Sequence, residues 1–88
     1  MAFEFDPKKA ATNLRKHQVS FADVEPVFHD DQALTREDPD ASGEARFITV
    51  GRDALGRIVT VCWTERDQVI RLISARLSTP AERKTYES

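Results

Sequence analysis

The apolar residues of this chain are concentrated in two β-branched runs, residues 58–64 and 69–74, separated by the polar residues 65–68. Two runs of this composition on either side of a short polar connection predict a β-hairpin. Apolar side chains occupy both the odd and the even positions of each run, a pattern typical of central strands that are covered on both faces. The hairpin is therefore expected to form the centre of the fold.

A third apolar segment, residues 46–51, precedes the hairpin and is followed by a loop that contains Gly56. A second hairpin at this loop predicts a three-stranded antiparallel meander, with strands near residues 46–51, 57–64 and 69–76. Shorter alternations predict additional strands at residues 3–5 and 33–36.

Two helix-start signals occupy the first third of the chain. Asp6 is an N-cap residue followed by proline, and it predicts a helix over residues 7–17. Ser20, with Asp23 three residues later, forms a capping-box pattern that predicts a second helix. Pro26 removes a helical hydrogen bond, so this second helix is expected to kink or end near that position.

Thr79 and the proline after it open a short C-terminal helix. The predicted fold class is therefore α+β, with two N-terminal helices packed on a twisted antiparallel sheet and a short C-terminal helix. A chain of 88 residues supports one domain, residues 1–88. The C-terminal helix has almost no apolar face. The second face of the sheet is therefore expected to meet another protein, or else to pack against residues 3–5 and the acidic loop.

The net charge of −2 hides an uneven distribution. Residues 1–45 carry five basic and ten acidic side chains, whereas residues 46–88 carry eight basic and five acidic ones. Six arginines lie between residues 46 and 76, and arginine binds phosphate oxygens bidentately. The overall acidity argues against a protein that coats nucleic acid nonspecifically, but it permits a local basic cleft.

Several classes of protein are disfavoured. Cys62 is the only cysteine, which fits a small core residue in a reducing compartment. No apolar run is long enough to cross a membrane and no signal peptide is recognisable, so a cytoplasmic protein without membrane association is predicted. Asp30, Asp31 and Asp38 are spaced irregularly, which favours a solvated acidic connection over a metal site. Neither a metal nor a cofactor is expected.

The remaining chemical candidates are Arg46, Glu65, Arg66, Arg71, Arg76, His17 and Tyr86. These side-chain types suffice for RNA cleavage without a metal, because that reaction needs a base, an acid and cations around the phosphate. Each also has a structural alternative. His17 lies in the last turn of a predicted helix, where a cation is favourable. Arg71 and Arg76 could be paired with carboxylates from the helices.

The order of the segments FEFDPKKAATNLRKH, VSFADVEPVF, ARFITVG, VTVCWTER and IRLISARLSTPAERKTYE resembles the BrnT family of type II toxins, along the whole chain. This resemblance implies a RelE-like fold and a ribonuclease that arrests translation. It also implies neutralisation by a BrnA-like antitoxin, whose DNA-binding portion represses the shared operon. Two positions depart from the family pattern: Phe5 replaces a usual Trp, and Gln18 replaces the usual Gly after the helix.

On this basis a metal-independent endoribonuclease is expected, with catalysis by His17, Glu65, Arg66 and Arg76. RNA binding is assigned to a second set: Lys16, Arg46, Arg71, Arg83 and Tyr86. The expected partners are RNA, the antitoxin and a second toxin in a heterotetramer, with operator DNA bound only through the antitoxin. Two alternatives stay open, namely an inactive partner-binding or co-repressor module and a non-catalytic nucleic-acid-binding protein.

Overall fold

The strands and helices follow the predicted order, in a computed structural model that describes residues 2–88. Five strands and two α-helices are present in this part of the chain, with two 3₁₀ segments between α1 and β2. In chain order they are β1 (Ala2–Glu4), α1 (Pro7–His17), the 3₁₀ segments Phe21–Asp23 and Glu25–His29, β2 (Leu34–Glu37), β3 (Phe47–Arg52), β4 (Ile58–Arg66), β5 (Val69–Leu77) and α2 (Pro80–Glu87). The α+β class is confirmed.

One sheet contains all five strands in the order β1-β5-β4-β3-β2. The predicted meander is confirmed, because β3, β4 and β5 pair in antiparallel succession. The turn between β4 and β5 has positive φ at both Asp67 and Gln68, as expected of a tight hairpin turn. The prediction of a wholly antiparallel sheet is wrong, since β1 pairs with β5 in parallel. A parallel pair needs a long crossover connection, and here nearly the whole chain separates the two strands.

Helix α1 lies along the edge of β5 that β1 leaves uncovered. β1 pairs only with residues 69–71 of β5. Further along the same edge, the side chain of Asn13 forms the hydrogen bonds to β5. Its Nδ2 donates to the Ala75 carbonyl (2.8 Å), and its Oδ1 accepts from the Ala75 N–H (3.0 Å). The buried amide thereby satisfies two edge groups that would otherwise lack partners.

The predicted second α-helix is not formed. Ser20 does cap a helical start, since its hydroxyl accepts from the Ala22 N–H (3.2 Å). The backbone then forms only the 3₁₀ segment Phe21–Asp23 and, after Val24, the segment Glu25–His29. Pro26 explains the difference, because a proline cannot donate the i→i−4 bond that a continuous helix needs there.

Side chains from β4 and β5 form the core on one face of the sheet, which we call the covered face. The core residues of the two strands are Val59, Val61, Ile70, Leu72 and Ala75. They pack against four residues that lie in or beside the two 3₁₀ segments, namely Val19, Phe21, Val24 and Val27. Phe3 and Phe5 also pack on this face, against Phe28 and Phe21. The expectation that residues 3–5 could shield the second face is therefore wrong.

The other face, which we call the open face, is covered at one end by α2. The Thr60 hydroxyl bonds with that of Ser78 (2.8 Å), at the start of the connection to α2. Near the other end of the helix, the buried Tyr86 donates its hydroxyl to Asp30 (2.6 Å). Beyond α2, the open face carries charged side chains, and these form the candidate site.

Candidate functional site

Helix α1 presents a cationic face beside β5. Its residues at helical spacing line a recess together with the edge of β5, and the lining residues are Lys8, Lys9, Thr12, Asn13, Lys16, His17, Ile73 and Ser74. Side chains four and seven to eight residues apart share one side of a helix, so Lys9, Lys16 and His17 line up along the axis. No carboxylate lines this recess.

A second recess lies on the open face, where β4, β5 and the residue before β3 present arginines. It is lined by Lys9, Ser42, Glu44, Arg46, Thr64, Arg66, Arg71 and Ile73. Lys9 and Ile73 line both recesses, so the two are neighbours across the edge of β5. We call the combined surface the basic cleft.

A β-bulge in the hairpin lies at the junction of the two recesses. Cys62 pairs with Ser74 and Trp63 with Leu72, which leaves Ile73 as the extra residue of β5. A bulge bends its strand and increases the local twist. The irregularity therefore lies where the surface passes from α1 to the open face.

Two of the arginines in the cleft already contact carboxylates. Arg66 Nε donates to Glu44 (2.8 Å), and the Thr64 hydroxyl lies 3.0 Å from the other oxygen of that carboxylate. The hydrogen bond from Arg66, followed by that from Thr64, lowers the pKa of Glu44. Arg71 donates to Glu4 of β1 (3.0 Å). Among the ion pairs of residues 2–88, none involves Lys9, Lys16 or Arg46.

Arg76 lies on the open face, where it forms an ion pair with a residue of α2. Its Nη1 and Nη2 donate to the two oxygens of Glu82 at 2.7 and 3.0 Å. Glu82 also accepts from the Thr79 N–H (2.8 Å) as part of a capping box. The hydrogen bond from Arg76 is the main cause of the lowered pKa of Glu82, which falls from 4.5 to about 2. A carboxylate from a helix thus holds Arg76.

Four predicted site residues lie outside the cleft, and Arg76 is one of them. The alternation of β4 places Glu65 opposite Ile70, on the other face of the sheet from Arg66. Arg83 is exposed on α2, in a recess at the end of the helix with Lys84 and Glu87. Tyr86 is 9% exposed, and the hydrogen bond to Asp30 raises the pKa of its hydroxyl. The structure brings together His17, Lys16, Arg46, Arg66 and Arg71; the roles assigned to all nine residues remain predictions.

The position of His17 depends on the residue that follows it. Gln18 ends α1 in a left-handed conformation (φ 59°), and its N–H donates to the Leu14 carbonyl (2.9 Å). Its own carbonyl accepts from Arg57 Nη1 (3.0 Å), while Arg57 pairs with the buried carboxylate of Asp53 (2.9 Å). The loop between β3 and β4 thereby fixes the end of α1 that carries His17.

Sequence reasoning missed two residues that build the cleft. Lys9 is not among the predicted site residues, yet it lines both recesses. Lys9 precedes Lys16 and His17 by seven and eight residues, and this spacing indicates that all three lie on one side of the helix. Asn13 gave no such signal, because its partner Ala75 lies 62 residues away in the chain.

Asp30 is a structural residue rather than a member of a ligand set. It accepts hydrogen bonds from the Tyr86 hydroxyl and from the N–H groups of Gln32 and Arg52. Burial opposes its ionisation, but these bonds outweigh the effect and lower its pKa. Within residues 2–88, no three side chains of the metal-binding types form a group that could hold an ion. None of the helices in the same range has the length and apolar character to span a membrane.

Comparison with known proteins identifies the family. The family model described as the ribonuclease toxin BrnT of type II toxin–antitoxin systems matches residues 5–82. The crystal structure of the Brucella abortus ribonuclease toxin BrnT is similar, with a TM-score of 0.70 and 23% identity, covering 90% of this chain and 97% of that one. Among curated proteins no match was found. This chain therefore belongs to the BrnT family, the ribonuclease toxins of type II toxin–antitoxin systems.

Proposed function

We propose that this chain is an endoribonuclease that binds single-stranded RNA in the basic cleft and cuts it without a metal ion. The observation that carries the proposal is the continuous set of cations around His17, from α1 across the edge of β5 to the open face. Lysine and arginine side chains arranged in this way fit the charge of an RNA backbone.

In the proposed reaction the ribose 2′-oxygen attacks the adjacent phosphorus. The new O2′–P bond forms while the P–O5′ bond breaks, so the products are a 2′,3′-cyclic phosphate and a 5′-hydroxyl. One group accepts the 2′-OH proton and another protonates the leaving oxygen. His17 is the histidine of the cleft, and histidine is the side chain that most often serves as a general acid or base.

The cations of the cleft would stabilise the charge that develops on the phosphate. Arg46 lines the recess and has no ion pair within residues 2–88, so its guanidinium is available to the substrate. Arg66 and Arg71 would exchange Glu44 and Glu4 for phosphate oxygens. Both of these pairs are largely exposed to solvent, and exposed ion pairs are weak, so phosphate oxygens can replace the carboxylates.

The resemblance to BrnT toxins supplies the finer parts of the proposal. We infer that cleavage arrests translation, that the chain acts in the cytoplasm and that its fold is RelE-like. We further infer that a BrnA-like antitoxin neutralises the toxin, that two copies of each form a heterotetramer and that operator DNA is contacted only through the antitoxin.

A matched pair of histidine variants tests the catalytic role. His17→Ala should lower the rate of RNA cleavage about 100-fold or more, as expected for loss of a general acid or base. His29→Ala is the control, because this second exposed histidine lies on the 3₁₀ segment Glu25–His29, outside the cleft. Cleavage should persist in EDTA and leave cyclic phosphate ends. Equal activity of the two variants, or strict dependence on added divalent metal, would contradict the proposal.

An inactive partner-binding module is the second candidate, and the ion pairs of the arginines favour it. Arg66, Arg71 and Arg76 each contact a carboxylate of the chain, as structural arginines do. Induced expression distinguishes the two functions. An inactive module would retain its growth phenotype and its complex when His17 is replaced, whereas the proposed ribonuclease would lose toxicity and keep the complex.

A further inference from the structure

Lys9 occupies a position in the basic cleft that no other cation shares. Lys16 and His17 line only the recess beside α1, and the arginines line only the recess on the open face. Lys9 lines both recesses. A phosphate at their junction would therefore meet the ammonium group of Lys9 together with groups from each side.

The fold holds the backbone of Lys9 in place while leaving its ammonium free. Lys9 lies in the first turn of α1, whose start is capped by Asp6 through the Lys8 N–H (2.9 Å). Four residues on, Asn13 anchors the same helix to β5 through Ala75. The Lys9 side chain is exposed and takes part in none of the ion pairs of residues 2–88.

The chemistry of cleavage needs a cation at this junction. The group that moves the 2′-OH proton and the groups that neutralise the phosphate must reach the same phosphate at the same time. His17 belongs to one recess, and Arg46 and Arg71 belong to the other. We propose that Lys9 contacts the scissile phosphate, which lies where the two recesses meet. This inference rests on the proposed ribonuclease function and adds a catalytic residue to it.

Because lysine is a compact charge on a flexible stem, it can follow the phosphate as its geometry changes during the reaction. The neighbouring Lys8 and Lys16 would bind flanking phosphates, since they line the α1 recess alone. Loss of Lys9 should accordingly affect both RNA binding and the chemical step, whereas loss of a flanking lysine should affect RNA affinity alone.

The test compares Lys9→Ala with Lys84→Ala, which removes the same charge from α2 outside the cleft. Single-turnover cleavage of a single-stranded RNA oligonucleotide is measured with enzyme in saturating excess. Lys9→Ala should lower the rate constant on the order of 100-fold, Lys9→Arg should recover most of it, and Lys84→Ala should match the wild type. An unchanged rate constant for Lys9→Ala would overturn the assignment.

A binding measurement separates this inference from the proposed function. The same variants are titrated with the 2′-O-methyl form of the oligonucleotide, which lacks the nucleophile and cannot be cut. For single strands the slope of log affinity against log salt should fall by about 0.7 when one phosphate contact is lost. If the wild type binds without cutting, the proposed function fails; the Lys9–phosphate contact is then supported by a reduced slope and refuted by an unchanged one.

Discussion

Arg76 was predicted to be catalytic from the sequence, but its contacts in the structure also suit a structural role. Its place at the end of an arginine-rich strand predicted a catalytic cation, with removal costing about 2–4 kcal/mol of transition-state stabilisation. In the structure its guanidinium is held bidentately by Glu82. A bidentate pair with a helix carboxylate is the structural alternative that the sequence had left open. Whether Arg76 also assists cleavage stays a prediction.

Gln18 is a second residue whose role depends on the backbone rather than on its side chain. It occupies the left-handed position after α1, where helices most often have glycine. Side chains other than glycine pay about 1 kcal/mol for this conformation. The helix ends at His17, as the sequence predicts, and Gln18 adopts the left-handed conformation.

Gln18→Gly is therefore expected to raise the free energy of unfolding by about 1 kcal/mol, because it removes the left-handed strain. Urea denaturation measures the change. Arg15→Gly is the control, since an exposed glycine inside the same helix should lower the free energy of unfolding by about the same amount. A loss of stability in Gln18→Gly would show that the conformation of Gln18 is not strained.

At this scale the sequence predicted which side chains are charged but not which of them meet. His17 and Lys16 were placed correctly in the last turn of α1, because capping rules are local. The partners of Arg66 and Arg71 are Glu44 and Glu4, which lie 22 and 67 residues away. Such pairings follow from strand register, which local sequence does not specify.

Elements were predictable wherever their signals lie within a few residues. Both α-helices begin at the expected proline, and the strands of the meander differ from the prediction by a residue or two. The prediction of an α-helix after Ser20 was wrong. The capping pattern favours a helix there, but Pro26 has no N–H to continue its hydrogen bonds, and two 3₁₀ segments form instead. Local signals identify the start of a helix more surely than they identify its continuation.

Helix α2 gives a pH-dependent test, because Glu82 joins its start to Arg76. The folded protein holds the pKa of Glu82 at about 2, against an ordinary value of 4.5. A lowered carboxyl pKa stabilises the fold fully above the ordinary value, and this contribution disappears as pH falls through the folded one. Stability should accordingly fall between pH 4.5 and about 2.

Glu82→Gln should have lower stability than the wild type at neutral pH, and the difference between the two proteins should shrink as pH falls through that window. Asp30 and Glu44 also have lowered pKa values, which change stability with pH in the same direction. Because both proteins contain these residues, their contributions cancel in the difference. Thermal denaturation from pH 7 to pH 2 measures it. Arg76→Ala should reproduce the neutral-pH loss, and a constant difference between Glu82→Gln and wild type would argue against the pair as a source of stability.

The whole molecule places the candidate site where parts distant in the chain meet. Lys9 and His17 come from the first helix, whereas the arginines come from β4, β5 and the residue before β3, in the second half of the chain. The parallel pairing of β1 with β5 puts α1 beside the hairpin and so creates the cleft. The sequence predicted five charged residues of this site but not Lys9, and it could not predict the strand order that unites them.

The open face also carries an apolar groove at the edge of the sheet. Between α2 and the strands β2 and β3 lies a recess of about 270 Å³, whose apolar residues are Leu34, Ile48, Val50 and Ala81. Leu34 is 44% exposed, and the strand that carries it forms the edge of the sheet. An exposed apolar surface beside an unpaired edge is typical of a protein interface.

We therefore expect the chain to form a defined complex with a BrnA-like antitoxin. Light scattering of the chain alone and of the mixture measures the masses, and a heterotetramer with two copies of each protein is the expected result. Leu34→Asp should weaken the complex more than Leu55→Asp, a matched change at another exposed leucine. A chain that stays monomeric with this partner at micromolar concentration would refute the expectation.

The hydrogen bonds between Asn13 and Ala75 have a consequence for the synthesis of a toxic protein. They join the helix that carries His17 to a strand made some sixty residues later. A nascent chain that has not yet released β5 from the ribosome therefore has no edge against which α1 can dock. Synthesis in the cell should produce a harmless chain until nearly all of the domain has emerged, which leaves the antitoxin time to meet the toxin as it becomes active.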